Sequence, residues 1–235
     1  MSKTIPEKLE FTDWKMLTDW SLAHEYTLLQ PNFNQLHKIG QHRYPATAFS
    51  LGQLASKVWL SSVVYDQIGS VNLKQNIAYL GCWIGTLAPW LNIMFKPDRI
   101  FGFDVDPETI EMADDYNTEL VQDSWRFKGV VEDATIVDWS NPEFVVDGEL
   151  ITNFVPDVIV NTSSEHMSDD WFMSAHSDTL VIMQTNNYFA WTQEHVNCVD
   201  SMDTMIKQYP MRKIVYAGEM VTPAYTRYMQ IGYPA

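Results

Sequence analysis

The segment Tyr79-Leu80-Gly81-Cys82-Trp83-Ile84-Gly85-Thr86-Leu87-Ala88-Pro89 sets two glycines between a short apolar run and a helical pattern. A residue without Cβ lets backbone amides approach a ligand closely. Alone, a turn of this kind is more often a packing turn than a ligand loop. Roughly twenty residues downstream, Ile100-Phe101-Gly102-Phe103-Asp104-Val105-Asp106-Pro107 places a carboxylate at the end of the next run. An acid there can accept hydrogen bonds from ribose hydroxyls. The pair is far more specific than either half. Asp106, directly before Pro107, suits a helix cap better than Asp104 does.

Three further clusters carry chemistry-bearing side chains. In Val130-Val131-Glu132-Asp133-Ala134 an acid closes an apolar run, where it can meet the exocyclic amine of an adenine. Pro156-Asp157-Val158-Ile159-Val160-Asn161 runs into the polar group Thr162-Ser163-Ser164-Glu165-His166-Met167. Glu165 and His166 are candidate proton acceptors. Support of the loop and packing on the following helix explain them equally well. Amides and aromatics in Gln184-Thr185-Asn186-Asn187-Tyr188-Phe189-Ala190-Trp191, followed by Glu194-His195-Val196-Asn197, are candidates to line an acceptor pocket. His42-Arg43-Tyr44 adds a guanidinium that could bind a carboxylate. Cys82 and Cys198 have neither metal-type spacing nor the number for a disulfide framework, which fits a reducing cytoplasmic setting.

These clusters need elements that bring them to one edge. Short apolar runs at 77–82, 100–105, 127–131, 157–161 and 179–185 alternate with helical patterns, the signature of βαβ units and a parallel sheet. Helices are predicted to open near Thr86, at Asp106-Pro107-Glu108 and near Ser168-Asp169-Asp170. A helix at 201–208 precedes two β-patterned runs, 213–220 and 225–233. The short turn Val221-Thr222-Pro223-Ala224 forces these runs antiparallel. Residues 1–70 are aromatic-rich and helical or irregular, and read as a cap on a core of 71–235, the two forming one unit. The clearest cap element begins at Ser50, whose spacing to Gln53 is that of a capping box.

Composition limits the substrate. Thirty acidic against fifteen basic residues give a net charge of −15 over 235 residues, a field that repels nucleic-acid backbones and anionic lipid. Basic residues occur singly or in pairs such as Arg212-Lys213, with no interleaved aromatics. The N-terminus lacks the apolar core of a signal peptide, and no apolar stretch approaches the length of a bilayer span. A soluble, unexported protein is expected, with twelve methionines and nine tryptophans serving as packing.

Residues 76–233 resemble the class I S-adenosylmethionine-dependent methyltransferases, including the small-molecule branch whose fourth strand ends in a Glu-His pair before a helix. The resemblance rests on spacing and strand order. It implies an α/β, Rossmann-like, mostly parallel seven-stranded sheet that ends in an antiparallel hairpin, with helices on both faces. It also implies that S-adenosyl-L-methionine is the cofactor. Gly81, Cys82 and Gly85 would border its methionine half, Asp104 its ribose, Val105 and Asp133 its adenine, and Asn161 the floor beside the sulfonium. Two positions depart from the family: Tyr79 stands where an acid is usual, and Trp83 where a small residue, most often glycine, is usual. The indole either blocks or reshapes the cofactor pocket, or it turns away and packs under the cap. Methyl transfer to a small neutral or cationic acceptor is the leading expectation. Transfer of an aminocarboxypropyl group, cleavage of the cofactor and a catalytically silent binding protein are the alternatives.

Overall fold

The apolar run at 76–80 is buried on both sides: Ile77 and Tyr79 enter one core, Ala78 and Leu80 the other. Such a strand shows no polar alternation because neither face meets water. The computed structural model describes residues 7–13, 15–16, 44–68, 75–189 and 195–235. Its strands are β1 (Lys8–Glu10), β2 (Asn76–Leu80), β3 (Arg99–Asp104), β4 (Phe127–Val131), β5 (Phe144–Val146), β6 (Glu149–Ile151), β7 (Val158–Asn161), β8 (Leu180–Asn186), β9 (Met211–Val221) and β10 (Thr226–Pro234). The α-helices are α1 (Leu51–Gln67), α2 (Ala88–Phe95), α3 (Pro107–Tyr116), α4 (Thr118–Gln122), α5 (Asp170–Met173) and α6 (Met202–Gln208), with 3-10 turns at Ala46–Phe49 and Ser164–His166.

The main sheet runs β1-β9-β10-β8-β7-β2-β3-β4. All its neighbouring pairs are parallel except those of β10, which is antiparallel to both β8 and β9. From β2 the chain moves outward through β3 to β4, then returns to β7 and continues through β8 in the opposite direction. The order therefore reverses between β2 and β7, and open sheets of this kind bind ligands outside the carboxyl ends of the strands at such a switch point. The expected count of seven strands is corrected to eight among the described residues. The additional strand is β1, whose three residues pair with 219–221 of β9 and bury Leu9 in the core. The 1–70 segment is thus not purely helical. A second strand pair missing from the sequence reading, β5–β6, turns on Asp147 and Gly148, both at positive φ (49° and 84°), as a two-residue type I′ hairpin requires.

Helices cover both faces. On one, α1, α2 and α3 pack Trp59, Trp90 and Ile110 against the sheet; on the other, α5 and α6 bring Trp171, Phe172 and Met205 to Phe101 and Phe103. Ser50 caps α1 through its Oγ, 3.4 Å from the Gln53 N–H. The box is only half made, because the Gln53 side chain reaches forward to Lys57 Nζ at 2.8 Å. The expected start at Pro107 holds for α3, with Asp106 capping Glu108 N–H at 2.9 Å. No helix among the described residues is long and apolar enough to cross a membrane. His42, Arg43, Trp191 and Glu194 lie outside the described residues.

Candidate functional site

The turn that leaves β2 alternates in handedness. Gly81, Trp83 and Gly85 have φ of 58°, 49° and 66°. Glycine takes such angles freely, whereas another residue pays about 1–2 kcal/mol. The neighbours add a second requirement, since a Cβ on Gly81 would lie 2.9 Å from Ser163 Cβ and one on Gly85 would lie 2.6 Å from Asn117 Nδ2. Trp83 is held in place by Asp104, whose Oδ2 accepts the Trp83 N–H at 2.9 Å. Its indole packs with the cluster of Tyr44, Ala48, Ile84 and Tyr116, so it turns toward the N-terminal segment. Tyr79 is buried beneath the turn, and burial first, then the Cys82 side chain, pushes its phenol well up. It is a neutral group where the resemblance would have an acid. The Cys82 thiol is likewise buried and pushed well up by burial, so only the backbone of Cys82 is available to border a ligand.

The residues assigned to the cofactor's nucleoside half line up along the carboxyl ends of β3 and β4. Asp104 closes β3; besides Trp83 it accepts the Asp106 N–H at 3.2 Å. An ionised carboxylate offers about four lone-pair sites, so about two remain for a ligand diol. Val105 follows it and is 66% exposed, an apolar side chain left open at the sheet edge. Past β4, Asp133 Oδ1 accepts the backbone and hydroxyl of Thr135 at 2.9 and 2.7 Å, which fixes the loop that carries it. Asn161 is fully buried at the end of β7: its Oδ1 accepts the Ser163 N–H at 2.9 Å, and its amide donates to Met167 Sδ at 3.2 Å. It holds the loop opposite the glycine turn, and Ser163 from that loop donates to the Gly81 carbonyl at 3.2 Å.

Glu165 and His166 lie on the 3-10 turn after β7 and differ in environment. Glu165 is 2% exposed. Its Oε1 accepts Asn186 Nδ2 at 2.5 Å and faces the buried Arg227 guanidinium at 3.4 Å. Arg227, from β10, also donates to the Thr162 carbonyl at 3.0 Å. His166 is exposed, with its ring edge-to-face on His195 at 4.6 Å between centroids. The 195–199 segment is bound to this turn: the Asn197 N–H donates to the Glu165 carbonyl at 3.0 Å, and Asn197 Nδ2 donates to the Met167 carbonyl at 2.9 Å.

No family model matches the chain, and no curated protein matches its sequence. Solved structures match its fold. The MccD protein superposes with a TM-score of 0.54 at 9% identity, over 75% of this chain and 96% of that one. Geranyl diphosphate C-methyltransferase from Streptomyces coelicolor A3(2), in complex with Mg2+, geranyl-S-thiolodiphosphate and S-adenosyl-L-homocysteine, gives 0.52 at 11%, over 74% and 75%. Magnesium protoporphyrin IX methyltransferase from Synechocystis PCC 6803, with its cofactor bound, gives 0.50 at 14%, over 76% and 80%. The chain has the class I methyltransferase fold.

Within this methyltransferase fold, Gly81, Asp104 and the Glu165-His166 pair stand around the β2–β7 switch point. Arg227 was missed from the sequence. Its one signal is a lone arginine in the otherwise apolar and amide-bearing run of β10, and its partner Glu165 is 62 positions away. His195 was noted as a pocket residue, but its contact with His166 has no local signature.

Proposed function

We propose that the protein is an S-adenosylmethionine-dependent methyltransferase acting on a small-molecule acceptor, with 71–235 as the catalytic core and the N-terminal segment covering it. The observation that carries this reading is the clamp between Asp104 and the left-handed Trp83 in the turn after β2. It places an acid with spare acceptor capacity beside a glycine turn at the switch point of the sheet.

The residues present fit the cofactor. Asp104 retains lone pairs for the ribose diol, Val105 offers an exposed apolar flank to adenine, and Asp133 lies on the next loop. Gly81, the Cys82 backbone and Gly85 shape the methionine side, while Trp83 is drawn toward Tyr44 and Tyr116. Asn161 acts by supporting the facing loop. When bound, the cofactor supplies an electrophilic methyl group on its sulfonium. The chain's part is to hold an acceptor near that group and, where the acceptor must lose a proton, to take it. His166, exposed on the 164–166 turn, is the group able to exchange that proton with solvent, and buried Glu165 fixes the turn through Asn186 and Arg227.

Incubation with S-adenosylmethionine and candidate acceptors, followed by mass spectrometry, tests the proposal. S-adenosylhomocysteine as the nucleoside product supports it. Methylthioadenosine would replace it with aminocarboxypropyl transfer or cofactor cleavage, and a protein that binds no cofactor would be a silent member of the fold.

A further inference from the structure

Glu165, His166 and His195 each present a ligand-type atom, and these atoms all lie within 4.8 Å of one another. The three come from two segments, the turn after β7 and the strand-following segment 195–199, which the Asn197 hydrogen bonds hold together. A divalent cation held by imidazole and carboxylate at about 2.0–2.2 Å brings such atoms about 3 Å apart, so the set must close by no more than about 2 Å to hold one.

Two independent observations point to a ligand there. The first is Glu165 Oε2, which is buried and has no hydrogen-bond partner among the described residues, although Oε1 of the same carboxylate is satisfied by Asn186 and Arg227. A buried acceptor without a partner is costly, and proteins rarely keep one without a use. The second is the orientation of His195. Its Nδ1 lies 3.0 Å from the Tyr188 carbonyl. A carbonyl only accepts, so Nδ1 is the donor in this contact, which leaves Nε2 as the nitrogen open to a metal in the neutral ring, the arrangement that metal-ligating histidines acquire from a backbone carbonyl. Cys198 Sγ, at 3.7 Å, approaches Nδ1 and so lies on the other side of the ring from Nε2.

We propose that Glu165 Oε2, His166 and His195 Nε2 form a site for one divalent transition-metal cation of the Mn(II) to Zn(II) series. Two imidazoles and one carboxylate favour these ions over Mg(II) or Ca(II), which take oxygen ligands. Three protein ligands leave coordination positions open, and exposed His166 puts them on the solvent side, at the carboxyl edge of the sheet. An acceptor would meet the cation there through an oxygen such as a hydroxyl or carboxylate; with the cation in place His166 is a ligand rather than the base, and the cation itself would ease loss of a hydroxyl proton to solvent. This last step rests on the methyltransferase reading; cation binding does not.

Calorimetric titration of chelator-stripped protein with MnCl2 and with ZnCl2, in the absence of cofactor, tests the site. One equivalent of either metal should bind. His166→Ala and His195→Ala should each weaken binding by more than about 100-fold, while His176→Ala, a histidine outside the cluster, should leave it unchanged. Thermal melts of the metal-free variants establish that they are folded, and the asparagine variant at the same position, His166→Asn or His195→Asn, replaces an alanine variant that is not. No binding by the parent at millimolar metal overturns the proposal, as does binding that survives loss of both histidines or that falls equally in His176→Ala. Titration of the same stripped protein with S-adenosylhomocysteine separates the two claims. Cofactor binding without metal binding removes only the cation site, and metal binding without cofactor binding removes only the transferase reading.

Discussion

Replacing Asp104 by alanine removes two hydrogen bonds made by one half-buried carboxylate, to Trp83 N–H at 2.9 Å and to Asp106 N–H at 3.2 Å. The first restrains a tryptophan at φ 49°, a conformation its own backbone disfavours by about 1–2 kcal/mol. A charge-assisted bond of this kind is worth about 1.5–3 kcal/mol, less where water screens it. Asp104→Ala should therefore lower stability by about 1–2 kcal/mol, or roughly 2–8 °C in Tm for a chain of this size. Cofactor binding should weaken by about 1.5–3 kcal/mol, or about 10–150-fold in Kd, through loss of the ribose contacts proposed for Asp104 and the loosened turn. Glycine at 83 needs no restraint, so in a Trp83→Gly background the binding loss from Asp104→Ala should shrink by about 1 kcal/mol, roughly fivefold. Calorimetry of the two single variants and the double variant reads all three quantities. An unchanged Kd in Asp104→Ala removes the residue from the site, and strictly additive losses show that the clamp does not hold Trp83.

Gly85→Ala combines a left-handed φ of 66° with a Cβ 2.6 Å from Asn117 Nδ2, and should cost about 2–5 kcal/mol in urea unfolding. Near-parental stability would mean that the turn relaxes freely. Arg227→Met leaves Glu165 buried without its counter-charge and should destabilise by about 3–5 kcal/mol, with Glu165→Gln in the same chain recovering part of the loss. Burial, and then the neighbouring Arg227 guanidinium, pull the Lys57 ammonium down to about 7. Between there and its unfolded value the unfolded chain binds more protons, so stability rises with pH across that window, by at most about 3 kcal/mol from pH 7 to 9. Lys57→Met should flatten the rise, and a slope equal to the parent's would exclude Lys57 as its source. His166→Asn should lower turnover per folded molecule by about 10²–10⁴-fold with cofactor affinity nearly intact; lowered stability at an unchanged rate would assign His166 to packing.

The central parallel strands β2, β3, β7 and β8 were legible because each is buried on both faces and so appears as a short apolar run ended by polar or turn residues. The cap of α3 was legible because Asp106, Pro107 and Glu108 act within one turn. The β5–β6 hairpin carries an Asp-Gly turn signal at 147–148, but its strands are only three residues long and set no period of their own. β1 was not readable, since one inward residue, Leu9, cannot set a period and its partner strand lies some two hundred positions away. The same distance problem hid the polar centre of the site. Glu165 meets Asn186, Arg227 and the segment holding His195 only after the β10 strand is inserted beside β8. The sequence leaves open whether Trp83 blocks the pocket or packs under the cap, because its position is one of close approach. The positive φ and the Tyr44–Tyr116 cluster that redirect its indole exist only in the folded turn.

Calorimetric titration of the full chain with S-adenosyl-L-homocysteine tests the cofactor assignment most directly. The expected result is one saturable site per chain, weakened about 10–150-fold by Asp104→Ala. No binding heat up to about 1 mM ligand, or binding indifferent to Asp104, would contradict it.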